Sequence, residues 1–180
     1  PDIIYYLFLP MVIWGTIGAR LWHIFTPPLS SVQLGLTTKY YLTHPLDALA
    51  LWTGGFGIPG AIIGCGLVLF LFSRRNEIPF WNLADLFAPG LALAQVIGRI
   101  GNYFNQELYG LPTEIPWAIF VDPANRLRGY ENVSFYHPLF AYESAFSLVN
   151  LFLLLWLARK FSERLKAGDL FLIYLMVYSV

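Results

Sequence analysis

Residues 98–110 read Gly-Arg-Ile-Gly-Asn-Tyr-Phe-Asn-Gln-Glu-Leu-Tyr-Gly and close an otherwise apolar run. No residue from Leu86 to Ile97 is charged; Arg99, Asn102, Asn105, Gln106 and Glu107 then arrive together. On a helix Gln95, Arg99, Asn102 and Gln106 stand at i, i+4, i+7 and i+11, a spacing that stacks them on one face. A cation at the centre of a membrane helix costs about 2.5–3.5 kcal/mol on the mildest scale. Such a charge belongs in a cavity or against an anion. A planar guanidinium beside amide donors suits a phosphate, because its fork meets two oxygens at once. The competing reading is an arginine near a helix end that snorkels to the headgroups; the polar neighbours weigh against it.

The neighbours keep several roles open. Glu107 is first a partner that orients Arg99, then a general base, then a solvated loop acid. Asn102 serves either a phosphate or carbonyl oxygen or an interhelical hydrogen bond. Gly101 and Gly110 permit a close backbone approach or a turn. Glu143 falls a few residues into a second apolar run and needs a polar partner. Tyr142 beside it reads as a site residue or an interfacial anchor. Arg20 is a further cation near a helix end, open to snorkelling or to a polar site; His23 and His44 read as interfacial. No two His or acidic residues share a helix face at ligand spacing, so no metal is expected.

These residues need membrane helices to position them. Of the 180 residues 57% are hydrophobic and only 12% charged, with a mean hydropathy of +0.58; soluble domains carry about 25% charged residues. Aromatics at 18% suit interfacial belts of Trp and Tyr. The formal net charge is zero, which leaves no footprint for nucleic acid. The single cysteine, Cys65, lies in an apolar run, which excludes a disulfide framework and a cysteine zinc site. The pattern predicts an all-α polytopic membrane bundle of about five spans, 1–180 forming one membrane domain.

The first span is placed at Ile3–Phe25, with Gly15, Gly18 and Ala19 for close helix approach. A polar loop follows over 29–47. The second runs over about 48–72, broken by four glycines and a proline within Gly54–Gly60. Gly60 and Gly64 form a small-xxx-small pair on the resumed helix. After a loop over 73–85, the third span covers about Leu86–Phe104. The stretch 105–137 is a small extracytoplasmic insert, and the fourth span covers about Pro138–Leu157. A fifth begins near Asp169 and stops at Val180, so the chain reads as part of a longer protein. No signal peptide is visible.

The loops 73–85 and 158–168 hold the basic residues Arg74, Arg75, Arg159, Lys160, Arg164 and Lys166 and are expected to be cytoplasmic. The glycine break, the polar end of the third span and the insert then meet at the outer face, and the site is expected there.

The run Gly98–Gly110 resembles the hallmark of bacterial prolipoprotein diacylglyceryl transferases. Ile17-Gly18-Ala19-Arg20-Leu21, Trp52-Thr53-Gly54-Gly55 with Gly60 to Gly64, Leu83-Ala84-Asp85-Leu86 with Ala88-Pro89, and His137-Pro138 with Tyr142-Glu143 resemble other parts of the family in order and spacing. The likeness covers essentially the whole chain. It implies a bacterial inner-membrane enzyme of about seven spans in full. The family transfers the diacylglyceryl group of phosphatidylglycerol to the lipobox cysteine of a preprolipoprotein, forms a thioether and releases glycerol phosphate, with no metal or organic cofactor.

Carried over residue by residue, Arg99, Asn102 and Glu107 are the catalytic candidates. Gln106, Gly110, Arg20, Tyr142 and Glu143 join Arg99 and Asn102 as substrate-binding ones. Three departures stand out. Pro59 occupies the place where the family commonly has a histidine proposed as base for the thiol, so a base must come from elsewhere, such as Glu107. Leu139-Phe140-Ala141 replaces the usual polar residues after His-Pro. The resemblance implies that the family's first helix precedes Pro1, and a second arginine motif is expected to follow Val180. Two other functions compete: a lipid or anion transporter, against which stands the single broken helix where transporters repeat one, and a lipid-binding paralogue without catalysis, suggested by Pro59.

Overall fold

The computed structural model describes residues 2–179. It divides into two compact units, one ending at Phe80 and the other beginning at Trp81. Helices account for both, apart from a two-stranded ribbon in the second.

The first unit is a pair of long helices joined by short turns. α1 spans Asp2–Phe25, and α2 (Leu29–Gln33), α3 (Thr38–Thr43) and α4 (Pro45–Leu49) follow. A 3-10 turn at Leu51–Thr53 leads to α5, Ile58–Asn76. The stretch read as a polar loop thus holds local helices; at α3, Thr37 accepts from Tyr40 N–H as an N-cap. The half-span expected before the glycine break is only the turn of α4 and the 3-10 segment. Gly54 and Gly55 sit at φ of 79° and 76°, where a side chain would be strained, and they redirect the chain into α5.

Small residues set how closely α1 and α5 approach. A Cβ added at Gly18 would stand 2.2 Å from the Gly60 carbonyl oxygen, and one at Gly60 2.1 Å from the Gly18 oxygen. At Gly64 it would stand 2.1 Å from the Trp14 oxygen. The two backbones are in direct contact, as the small-residue spacing of both helices predicts. Large apolar side chains such as Tyr6, Phe8, Leu9, Ile62 and Ile63 point outward instead. That inside-out arrangement suits lipid, where dispersion rather than water expulsion holds helices together.

The second unit holds α6 (Phe80–Asn105, all but its first residue), α7 (Leu139–Lys160) and α8 (Asp169–Tyr178). α6 begins at Phe80 rather than Leu86, because the charge of Asp85 is met inside the fold. Its carboxylate accepts from Gly168 N–H at 2.7 Å and Phe171 N–H at 2.9 Å, capping the start of α8. Ala88, Ala92, Leu154 and Tyr174 form the buried contact among the three helices. Between α6 and α7 the insert folds around β1 (Ile119–Phe120) and β2 (Phe135–Tyr136), paired antiparallel, with Val121 and Tyr136 fully buried.

Among the described residues four helices are long and apolar enough to cross a membrane: α1, α5, α6 and α7. α8, at the expected start of the fifth span, is a shorter apolar helix of 10 residues. The chain is a multi-pass membrane segment.

Gly60→Ala is expected to lower thermal stability in detergent by about 1–3 kcal/mol through overpacking against the α1 backbone. Gly66→Ala, where an added Cβ meets nothing within 4 Å, should leave the midpoint unchanged or raise it. Equal effects of the two would contradict the backbone contact.

Candidate functional site

The polar end of α6 faces α7. Ser144 Oγ donates to the Val96 carbonyl at 3.1 Å and fixes the register. One turn on, Arg99 Nη2 stands 2.6 Å from Glu143 Oε2, and that oxygen has no further hydrogen-bond partner among the described residues. The pair lines a cleft of about 580 Å³ with Tyr142, Phe146, Ser147 and Tyr178. The Arg99 side chain retains 24% of its exposure and Glu143 37%, so both reach the open space. A cation, a carboxylate and three hydroxyls around an open cleft can hold an anionic, hydroxyl-bearing headgroup.

Glu143 therefore takes the role first expected of Glu107. α6 stops at Asn105, and Gln106 and Leu108 both take φ of 52°, which turns the chain out of the helix. Glu107 ends up exposed, accepting from Asn105 Nδ2 at 3.1 Å. Gln106 is drawn into the insert as well. Its amide donates to Asp122 Oδ2 at 2.7 Å, while its oxygen accepts from Asp122 N–H at 2.8 Å and Asn125 Nδ2 at 3.2 Å. Both ends of this side chain are engaged, so Gln106 anchors the insert rather than facing a substrate. Asn102 stays on α6, half-buried, its carboxamide without a hydrogen bond among the described residues.

Gly110 has the close-approach role. Its N–H donates to the His137 carbonyl at 2.8 Å, and a Cβ there would come 2.9 Å from His137 Cβ. His137 N–H in turn donates to the Leu111 carbonyl at 3.1 Å. This clasp brings the two ends of the insert together at the start of α7. Nearby, Tyr109 donates to the Asn125 carbonyl, and burial pushes its hydroxyl above the ordinary tyrosine range.

Tyr142 is more than an anchor. Trp117 Nε1 donates to its hydroxyl at 2.8 Å, and His137 Nδ1 lies 3.2 Å from the same oxygen. The spacing of His137 and Tyr142, five residues apart across a helix start, was legible; nothing in the sequence marked Trp117. Tyr178, which also lines the cleft, was read only as part of a truncated span.

Arg20 belongs to the first unit and is 5% exposed. Its Nε donates to Ala48 O at 2.8 Å, Nη2 to Asp47 O at 2.6 Å, and Nη1 to Gly54 O and Gly55 O at 2.5 and 3.2 Å. Four of the five guanidinium donors are thus engaged by carbonyls of the loop, which makes Arg20 a pin for the glycine segment rather than a free cation. His23 is likewise buried, with its Nε2 3.2 Å from the Tyr41 hydroxyl.

A double-mutant cycle of Arg99→Gln and Glu143→Gln, read as thermal stability, is expected to show a coupling of about 1 kcal/mol, the partial exposure of both groups keeping it small. Strictly additive effects would contradict the ion pair.

The family model described as prolipoprotein diacylglyceryl transferase matches residues 1–180. The phosphatidylglycerol–prolipoprotein diacylglyceryl transferase of Acaryochloris marina is 41% identical over 174 residues, which are 94% of this chain and 60% of that protein. The protein of the same name from Cutibacterium acnes is 42% identical over 168 residues, 93% of this chain and 54% of the relative. That of Trichormus variabilis is 37% identical across 100% of this chain and 61% of its own length. The chain thus spans little more than half the length of these relatives. With that match along its whole length, the chain belongs to the prolipoprotein diacylglyceryl transferase family.

Proposed function

We propose that the full-length protein carrying this segment transfers the diacylglyceryl group of phosphatidylglycerol to the lipobox cysteine thiol of prolipoproteins. A thioether forms and glycerol phosphate leaves. The observation that carries this reading is the Arg99–Glu143 pair at an open cleft on membrane helices, in a chain of this family. Its setting is the bacterial inner membrane, with the cleft toward the outer face; the basic residues Arg159, Lys160, Arg164 and Lys166 beyond α7 favour that orientation.

The chemistry follows from where charge develops. The cysteine sulfur attacks the glycerol carbon that bears the phosphate ester. The carbon–sulfur bond forms, the carbon–oxygen bond breaks, and its electron pair leaves on the phosphate. The departing monoester gains negative charge, so a guanidinium held in place by Glu143 stabilises the transition state more than the bound lipid. Asn102, whose carboxamide has no hydrogen bond among the described residues, adds a donor to the same phosphate. Tyr142 and Glu143 line the headgroup's place, and Gly110 keeps the insert closed over α7. Glu107 contributes through its exposed carboxylate at the outer end of α6. No cofactor is required by these steps.

The test uses the full-length protein in membranes with phosphatidylglycerol and a lipobox peptide, read by mass spectrometry. A diacylglyceryl mass on the cysteine is expected from the wild type, and Arg99→Ala should reduce its rate of appearance by about 10²-fold or more. A well-folded wild type that adds no mass would overturn the reading and favour a lipid-binding paralogue or a transporter.

A further inference from the structure

The transferase reading leaves the proton of the attacking thiol without an acceptor. Pro59 offers no basic side chain. Glu143 is committed to Arg99, and Glu107 is exposed in its contact with Asn105. One cluster reaches the cleft through Tyr142, has the required chemistry and has been given no part in proton transfer: Trp117, His137 and Tyr142.

Its geometry sets the direction of the hydrogen bonds. An indole N–H can only donate, so the Tyr142 oxygen accepts from Trp117 Nε1 at 2.8 Å. The tyrosine proton is thereby free to go to His137 Nδ1, 3.2 Å away. In that arrangement Nδ1 is the acceptor and the ring proton sits on Nε2. The oxygen keeps a second lone pair for another donor, and Tyr142 lines the same cleft as Arg99. His137 is itself fixed at both backbone groups, its N–H to Leu111 and its carbonyl to Gly110.

We propose that Tyr142 is a catalytic residue that takes the proton of the substrate thiol, with His137 as the acceptor behind it and Trp117 as the positioning residue. The proposal rests on the transferase reading above. In the step, the S–H bond breaks and its proton goes to the Tyr142 oxygen as the tyrosine's own proton moves to His137 Nδ1. The sulfur keeps the electron pair and forms the carbon–sulfur bond, while the carbon–oxygen bond breaks with its pair on the phosphate. The imidazolium then returns its proton to water. Among the described residues the ionisable groups around the relay are Arg99, Glu143 and Tyr178, which line the same cleft. From the insert, His137 meets the Gly110 and Leu111 backbone, and Glu107 and Glu114, which flank that stretch in sequence, are exposed.

The experiment measures kcat and KM for the full-length protein in phosphatidylglycerol vesicles at neutral pH, with two lipobox peptides, one carrying cysteine and one selenocysteine. A selenol is ionised at neutral pH and needs no base. With the cysteine peptide the wild type should transfer readily. His137→Gln should lower kcat on that peptide about 10²- to 10⁴-fold with KM for the lipid nearly unchanged. With the selenocysteine peptide its rate should return toward the wild type. Tyr142→Phe, which keeps the ring, should behave the same way. Variants that match the wild-type rate on the cysteine peptide, or that fail equally on both peptides, would overturn the relay while leaving the transferase reading in place. A wild type that transfers to neither peptide would overturn both.

Discussion

A guanidinium on a membrane helix has to be met by an opposite charge, and here the Arg99–Glu143 contact of 2.6 Å meets it. The contact decides how α6 and α7 align, together with the Ser144–Val96 hydrogen bond one turn away. It also explains why the cation stays near an open cleft. Full burial would cost each ion several kcal/mol in desolvation, whereas a half-exposed pair keeps part of its hydration and its reach toward a ligand. A carboxylate on one side of the guanidinium leaves donors on the other. That asymmetry is what an anion-binding site at a lipid surface needs: a cation already oriented, whose reorganisation does not have to occur during the reaction.

Other polar groups of the chain answer to the same constraint and end in structural roles. Arg20 is met by carbonyls rather than by an acid, and so gives the carbonyls of the irregular glycine segment a donor. Asp85 is met by the backbone N–H groups at the start of α8. Gln106 is met by Asp122 and Asn125 and so ties the insert to the end of α6. A polar residue type in an apolar run signals that a partner exists; only the geometry separates a partner within the protein from one that arrives as substrate.

That distinction marks the limit of what the residues alone reveal. The long helices, the small residues that let α1 and α5 approach closely, and an irregular glycine segment before α5 are readable from small-residue spacing and composition, although α5 already begins at Ile58, inside the expected break. The start of α6 was not, because a charged Asp85 reads as loop until its partner in α8, far along the chain, is known. Glu107 and Glu143 were both visible as acids. The choice between them as the partner of Arg99 depends on left-handed residues at Gln106 and Leu108, and neither is a glycine that would announce the turn. The insert's ribbon is two residues per strand, too short for any periodicity to show. Trp117 reaches Tyr142 through a fold whose long-range closure leaves no local trace.

The central claim is that Arg99 holds the phosphate of a lipid headgroup. The most direct measurement is the affinity of the full-length protein in nanodiscs for phosphatidylglycerol relative to diacylglycerol, the same lipid without its phosphate headgroup, in the wild type and in Arg99→Gln. The account predicts a clear preference of the wild type for phosphatidylglycerol that collapses in the variant while diacylglycerol binding stays the same. A preference that survives the substitution would contradict it.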